Sequence, residues 1–201
     1  MPELLKLTLI LLIVCFVSAA ALSKTYESTK EQIMENRAAT EADARLAVLP
    51  GAEKIVKAKE LSLDKEIPVF KGLDQNDEIV GYAFKVSQKG FSGGIDIMIG
   101  ARRGDEGLVI SGTRVLRHSE TPGLGAEMTT RSYNEKLGAA EKVPTFQKQF
   151  IGEEASNLFL VKSGKGTIES ITAATVSSKA FTEAVREGLK ELSTKLSGRT
   201  R

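Results

Sequence analysis

The chain has one cysteine, one histidine and no tryptophan in 201 residues. A lone Cys15 excludes an internal disulfide. With His118 as the only imidazole, no thiolate–imidazole set of the kind that holds zinc can form. No metal site is therefore expected, and no side chain stands out as a catalytic acid, base or nucleophile. An excess of one charge is lacking too. Lys and Arg number 28 against 26 Asp and Glu, a net charge of +2, and the basic residues are scattered. That pattern leaves no footprint for a nucleic-acid partner. There is no glycine fingerprint of a dinucleotide-binding fold, no internal repeat and no long low-complexity segment. Hydrophobic residues at 41% and charged residues at 27% are ordinary for a globular protein.

What is present begins with an apolar run. Leu7 to Leu22 reads LTLILLIVCFVSAAAL without a charge, and extension back to Leu4 meets only Lys6. A bilayer core takes about 20 apolar residues in a helix, and a lysine near the end can snorkel to the interface. The run reads as a retained transmembrane anchor over residues 1–22. A cleaved signal peptide is the competing reading, because Ser18 to Ala21 are small. A lipid anchor on Cys15 is disfavoured by Val14 before it. Lys24, Lys30 and Arg37 follow the run and lean weakly toward a cytoplasmic C-terminal domain.

Residues 23–50, rich in Ala, Glu, Lys and Arg, read as a helical stalk that Pro50-Gly51 ends. Residues 51–201 form the remaining domain. Val80, Tyr82, Phe84 and Val86 alternate with Gly81, Ala83, Lys85 and Ser87, the period of a half-buried strand. Ile95, Ile97 and Ile99 predict a second strand, joined to the first through the glycine-rich stretch 89–94. Leu108 to Leu116 predicts a third. A short helix is expected near Thr129 to Leu137 and a further strand at Asn157 to Val161. Phe181, Val185, Leu189, Leu192 and Leu196 recur at helical spacing, with Lys190, Lys195 and Arg199 toward the end. The fold class is α+β: one N-terminal transmembrane helix, an antiparallel sheet and a C-terminal amphipathic helix.

Two segments draw attention. His118 to Gly125 reads HSETPGLG directly after a strand. Pro122-Gly123 suits a type II turn, with the glycine at positive φ, and Thr121 before the proline is pushed to extended backbone. The plain reading is a polar surface loop. Glu169 to Ser178 reads ESITAATVSS and leads into the last helix. Hydroxyls there suit an N-cap, while free N–H groups at a helix start attract anions such as phosphate.

Together these segments resemble one family. The anchor, Leu49-Pro50-Gly51-Ala52, the glycine-rich turn before Ile95, His118 to Gly125 and Glu169 to Ser178 are similar to the G subunit of the Rnf electron-transport complex. That protein is related to the C subunit of the sodium-pumping NADH:quinone reductase, and both belong to the FMN-binding domain family. The family's second segment is Asp-x-x-Ser-Gly-Ala-Thr. Here Glu169 stands for Asp, Thr172 for Ser and Ala173 for Gly, whereas the terminal threonine, Thr175, is kept. An alanine lacks glycine's easy access to positive φ.

The resemblance implies FMN joined covalently through its phosphate to Thr175. Thr172, Ala174, Val176, Ser177, Glu120, Thr121, Gly123 and Leu124 are its implied cofactor-binding residues. It also implies an electron relay within an ion-translocating ferredoxin:NAD oxidoreductase complex, rather than a stand-alone catalyst. Implied partners are other membrane and iron–sulfur subunits and a magnesium-dependent flavin transferase that uses FAD. The implied location is the inner (cytoplasmic) membrane, single-pass, with the domain on the extracytoplasmic (periplasmic) side. Two alternatives stay open: an FMN-binding subunit of another respiratory or extracellular electron-transfer chain, and a non-redox, membrane-tethered binding module. From helical phase, α-helix is expected to begin just after Thr175, with Val176 and Ala180 on its apolar face.

Overall fold

The computed structural model of the protein describes residues 2–63, 67–105, 107–131, 133–134, 139–140, 143–161 and 166–198. Contacts divide it into two units, Met1–Thr40 and Glu41–Arg201. Helix α1, Pro2–Val48, supplies the described residues of the first and enters the second. Its N-terminal part is long and apolar enough to cross a membrane, and the apolar side chains from Leu4 to Leu22 are exposed. An exposed apolar face of that length needs a covering of hydrocarbon. That N-terminal helix is a membrane anchor by length and composition.

The second unit is α+β. Strands β1 (Lys54–Leu63), β2 (Ile67–Leu73), β3 (Ile79–Lys89), β4 (Gly94–Arg103) and β5 (Leu108–Arg117) form one antiparallel sheet in sequence order. After β5 come a 3₁₀ turn at Gly125–Thr129, a small ribbon of β6 (Tyr133–Asn134) and β7 (Ala139–Ala140), and α2 (Thr145–Lys148). Helix α3 (Thr175–Ser197) closes the chain.

Helix α3 buries Phe181, Val185, Leu189 and Leu192 in one core with Phe84, Ile95, Ile97, Ile99 and Ile110 of the sheet. The 3.6-residue period of the helix and the two-residue period of the strands meet there, as the sequence pattern required. Phe146 and Phe150 complete the core, with ring centroids 5.0–5.4 Å from each other and from Phe181.

The opposite face of the sheet is also covered. Ala44, Val48 and Leu49 pack with Ala83 and Met98. This is why Gly81, Tyr82, Ala83 and Phe84 are all buried, where alternation alone predicted a half-buried strand. Glycines make the approach possible. A Cβ on Gly100 would overlap the carbonyl oxygen of Val48, and one on its cross-strand partner Gly112 would lie 3.0 Å from the Val48 Cα. Ser111 Oγ donates to the Val48 carbonyl at 2.6 Å, satisfying an acceptor that the end of α1 would otherwise leave buried and unpaired. Glu41 accepts from Lys85 at 2.7 Å.

Several expectations are corrected. Strands β1 and β2 were not anticipated. Asn157 to Val161 forms no strand; Leu160 makes only an isolated bridge to Ile168. The helix expected at Thr129 to Leu137 is replaced by the earlier 3₁₀ turn, because Leu124 and Gly125 continue directly from the Pro122-Gly123 turn. Residues 132 and 135–137 of that stretch, and Arg199 of the last helix, lie outside the described residues.

Candidate functional site at the start of the last helix

The loop after β5 is built as its sequence suggests. Leu124 N–H donates to Thr121 O at 3.1 Å around Pro122 and Gly123, and Gly123 has φ +74°, the conformation a type II turn needs at its third position. Ala126 N–H also donates to Thr121 O, at 3.2 Å, which folds the loop into the 3₁₀ turn. His118 Nδ1 accepts from Glu120 N–H at 3.3 Å.

The second segment is held at both ends. The side-chain amide of Gln149 pairs with the backbone of Glu169: Glu169 N–H donates to Oε1 at 2.8 Å, and Nε2 donates to Glu169 O at 3.3 Å. Farther on, Ala174 N–H donates to Ile171 O at 3.0 Å, and Ala173 takes φ +59°. The position where the family pattern has glycine thus keeps left-handed backbone even though alanine occupies it. Ser178 Oγ accepts from Ile171 N–H at 2.9 Å and donates to Ala174 O at 3.0 Å. That buried hydroxyl staples the turn to the helix it precedes.

Helix α3 then starts without a side-chain cap. Its N-cap is Ala174, which has no oxygen to offer, and Ser178 N–H makes the bond to Ala174 O. The N–H groups of Thr175, Val176 and Ser177 precede the first intrahelical bond. They add to the positive end of the dipole of a 23-residue helix. Thr175 is exposed. Val176 is 55% exposed and does not join the apolar face, contrary to the helical-phase expectation, whereas Ala180 does.

The two segments meet. Ser177 Oγ donates to Glu120 Oε2 at 2.6 Å, and Ser92 N–H of the β3–β4 hairpin donates to Oε1 at 3.2 Å. Glu120 is 6% exposed, so a carboxylate sits inside the protein with hydrogen bonds from two other segments. A Cβ on Gly125 would come within 2.7 Å of Ser177 Oγ, and one on Gly90 would collide with Glu120 Oε1. Both glycines are what let three chain segments converge on this carboxylate.

Beside it opens a cavity of about 300 Å³. Glu120, Thr121, Leu124, Ala174, Thr175, Val176 and Ser177 line it, seven of the residues expected from sequence. Gly123 shapes the adjoining turn without lining the cavity. Thr172 lies elsewhere, on a neighbouring cavity of about 370 Å³ with Glu127, Gln149 and Glu169. Phe91, Gly125 and Ala173 are lining residues that sequence reasoning missed as site residues. The signal for Phe91 was an aromatic at the tip of a glycine-rich turn. An uncapped helix start, an exposed hydroxyl and apolar side chains on one cavity suit a ligand with an anionic end and a flat apolar part. Among the described residues no cluster suits a metal ion.

Comparison with known proteins gives this site a family. The model of the FMN-binding domain family matches residues 90–190, from the β3–β4 turn through the loop to most of α3. The G subunit of an ion-translocating oxidoreductase complex from Methanosarcina acetivorans is 30% identical over 195 residues, 95% of each chain. The G subunit of the Na⁺-translocating ferredoxin:NAD⁺ oxidoreductase complex of Acetobacterium woodii is 31% identical over 205 residues, 92% of this chain and 89% of that one. Its proton-translocating counterpart from Clostridium ljungdahlii is 26% identical over 191 residues, 94% and 91% of the two chains. An N-terminal apolar helix, a five-stranded sheet with one closing helix and a converging pair of loops thus lie along a match of nearly full length, and the chain belongs to the FMN-binding domain family, among the G subunits of ion-translocating oxidoreductase complexes.

Proposed function

We propose that this chain is a flavin-bearing electron relay of an ion-translocating ferredoxin:NAD oxidoreductase complex, with FMN held as a phosphate ester of the Thr175 hydroxyl. The observation that carries the proposal is the place of Thr175: exposed, first in an uncapped 23-residue helix, and on the wall of the cavity. The residues fit the cofactor. A phosphate on Thr175 Oγ1 would lie at the positive end of α3, beside the N–H groups of Thr175, Val176 and Ser177. Leu124, Val176 and Ala174 offer apolar wall, and Thr121 a polar group.

The other candidate hydroxyls are less suited. Ser177 and Ser178 are buried, and each is engaged in hydrogen bonds, to Glu120 and to the acceptor turn respectively. Thr172 is exposed but borders the other cavity.

Bound FMN would supply the electron-carrying chemistry. The protein's part is to fix one end of the cofactor, set the polarity around it and leave it open to redox partners. A threonine hydroxyl is a weak nucleophile without a base. A magnesium-dependent flavin transferase acting in trans accounts for the ester. In that transfer the Thr175 hydroxyl would take up the FMN half of FAD as a phosphate ester, with AMP as the leaving group.

The partners are the remaining membrane and iron–sulfur subunits of the complex. On this reading the chain sits in the cytoplasmic membrane with its domain on the extracytoplasmic side. There a covalent tether keeps a cofactor that is scarce in free form. A large domain overrides the weak opposing bias of Lys24, Lys30 and Arg37.

Thr175→Val is nearly isosteric and tests the attachment. The denatured variant should have no yellow fluorescence while the native domain folds. Peptide mass mapping that finds flavin on Thr172, Ser177 or Ser178 would overturn the assignment. A reporter fused after Arg201 and active in the cytoplasm would overturn the orientation.

A further inference from the structure

Ala173 sits at φ +59°, in left-handed backbone that a Cβ disfavours. A residue stays in such a conformation where the structure around it over-determines the bend. Downstream, Ser178 Oγ holds both Ile171 N–H and Ala174 O. Upstream, Glu169 to Thr172 belong to no helix or strand, so the segment needs a support of another kind. We propose that Gln149 is that support, a positioning residue that keeps the segment bent and so presents Thr175 for flavin attachment. This rests on the reading of Thr175 as the attachment point. The Gln149 amide meets the backbone of Glu169 twice, accepting from its N–H at 2.8 Å and donating to its carbonyl at 3.3 Å. It thus gives Glu169 the pair of bonds that a neighbouring strand would give. The side chain is half-buried, where water competes less for those bonds. Its own backbone is fixed as well. Gln149 is the C-terminal cap of α2, and Phe146 and Phe150 of the same turn are buried against Phe181 of α3. The amide therefore ties Glu169 to the core that seats the helix beginning at Thr175. Gln147, also in α2, donates to Met128 O at 2.8 Å, so the same turn grips the 3₁₀ turn after the loop. The bend at Ala173 lies between two fastened ends, Gln149 holding one and Ser178 the other.

The test follows flavin transfer from FAD to the full-length chain in detergent by a flavin transferase, read as in-gel fluorescence over time at a series of chain concentrations. Wild type, Gln149→Met, Ala173→Gly and the double variant are compared, each shown by its melting curve to be folded at the assay temperature. Peptide mass mapping locates the flavin. Gln149→Met keeps the length of the side chain and removes both bonds. Fewer of its chains hold the bent turn, so KM for the chain should rise about three- to tenfold with kcat unchanged. Adding Ala173→Gly should return KM to near the wild-type value, because glycine enters left-handed backbone without support. A merely structural role for Gln149 would lower the melting temperature and leave KM alone. Gln149→Ala takes the place of Gln149→Met if that chain does not fold. Flavin on Thr175 in every chain, with KM unchanged or lowered by Gln149→Met, overturns the role of Gln149 and leaves the attachment standing. A raised KM that Ala173→Gly does not restore overturns the link to the turn. Wild-type chain without flavin on Thr175 overturns the attachment and the positioning together.

Discussion

Glu120 and Ser177 stand 57 residues apart in the chain and 2.6 Å apart in the fold. Their hydrogen bond is the closest link between the loop after β5 and the helix that starts at Thr175. It also gives the buried carboxylate a structural task beyond any influence on a flavin.

Glu120→Ala should therefore destabilise the domain. It leaves Ser177 Oγ and Ser92 N–H without their acceptor, and the loss of hydrogen bonds to a charged group costs about 1–3 kcal/mol. Thr121→Ala removes an exposed hydroxyl on the cavity wall and should change stability by less than about 0.5 kcal/mol. Urea unfolding of both variants measures the contrast. In flavin-loaded protein, Thr121→Ala should still shift the flavin absorption or its midpoint potential.

Ala173→Gly should stabilise the protein. A Cβ in left-handed backbone costs roughly 1–2 kcal/mol, and the added entropy of an unfolded glycine returns about 0.5–1 kcal/mol of that. A net gain of about 0.5–1 kcal/mol follows at φ +59°. Ala173 is exposed, so no core contact is lost. A higher thermal midpoint checks it, and an unchanged or lower one would mean that the methyl makes a compensating contact.

Thr172→Val separates two hydroxyls that sequence spacing cannot. Thr172 borders the cavity with Glu127 and Gln149, away from the one lined by Thr175. The yield of covalent flavin should fall without vanishing, as read from in-gel fluorescence against total protein. Complete loss, with the fold intact, would assign Thr172 a direct part in modification.

The sheet face under α1 gives a fourth expectation. Gly100→Ala forces a methyl into the Val48 carbonyl and should cost about 3 kcal/mol by overpacking. Ser111→Ala, which only deletes the donor to that carbonyl, should cost about 1–2 kcal/mol. Chemical denaturation of the two variants orders them, and equal midpoints would refute the close approach.

Legibility varied with how far each signal travels along the chain. Strands β3 to β5 and helix α3 were readable because one face of each meets the same core, so their periods survive in the sequence. Strand β1 was not. It is lysine-rich, and its pairing with β2 shifts register between Lys57 and Ser62, which breaks the alternation that would betray it. Strand β2 contains Pro68 and Gly72, both poor strand markers. The run at Asn157 to Val161 reads as a strand in sequence, yet among the described residues Leu160 makes only an isolated bridge to Ile168.

At the site, the turn at Pro122-Gly123 and the helix start at Thr175 were local and came through. The carboxylate link from Glu120 to Ser177 and Ser92 joins distant segments, and no spacing encodes it. Val176 misled because helical phase alone cannot tell a core side chain from one lining a cavity.

The cover that Ala44, Val48 and Leu49 lay over the glycine face has a consequence for how the protein can be cut apart. Proteolysis ahead of Glu41 would release a fragment that keeps both faces of its sheet dressed. Cleavage between Val48 and Gly51 would instead loosen that cover and open Ala83 and Met98 to water, an invitation to aggregate.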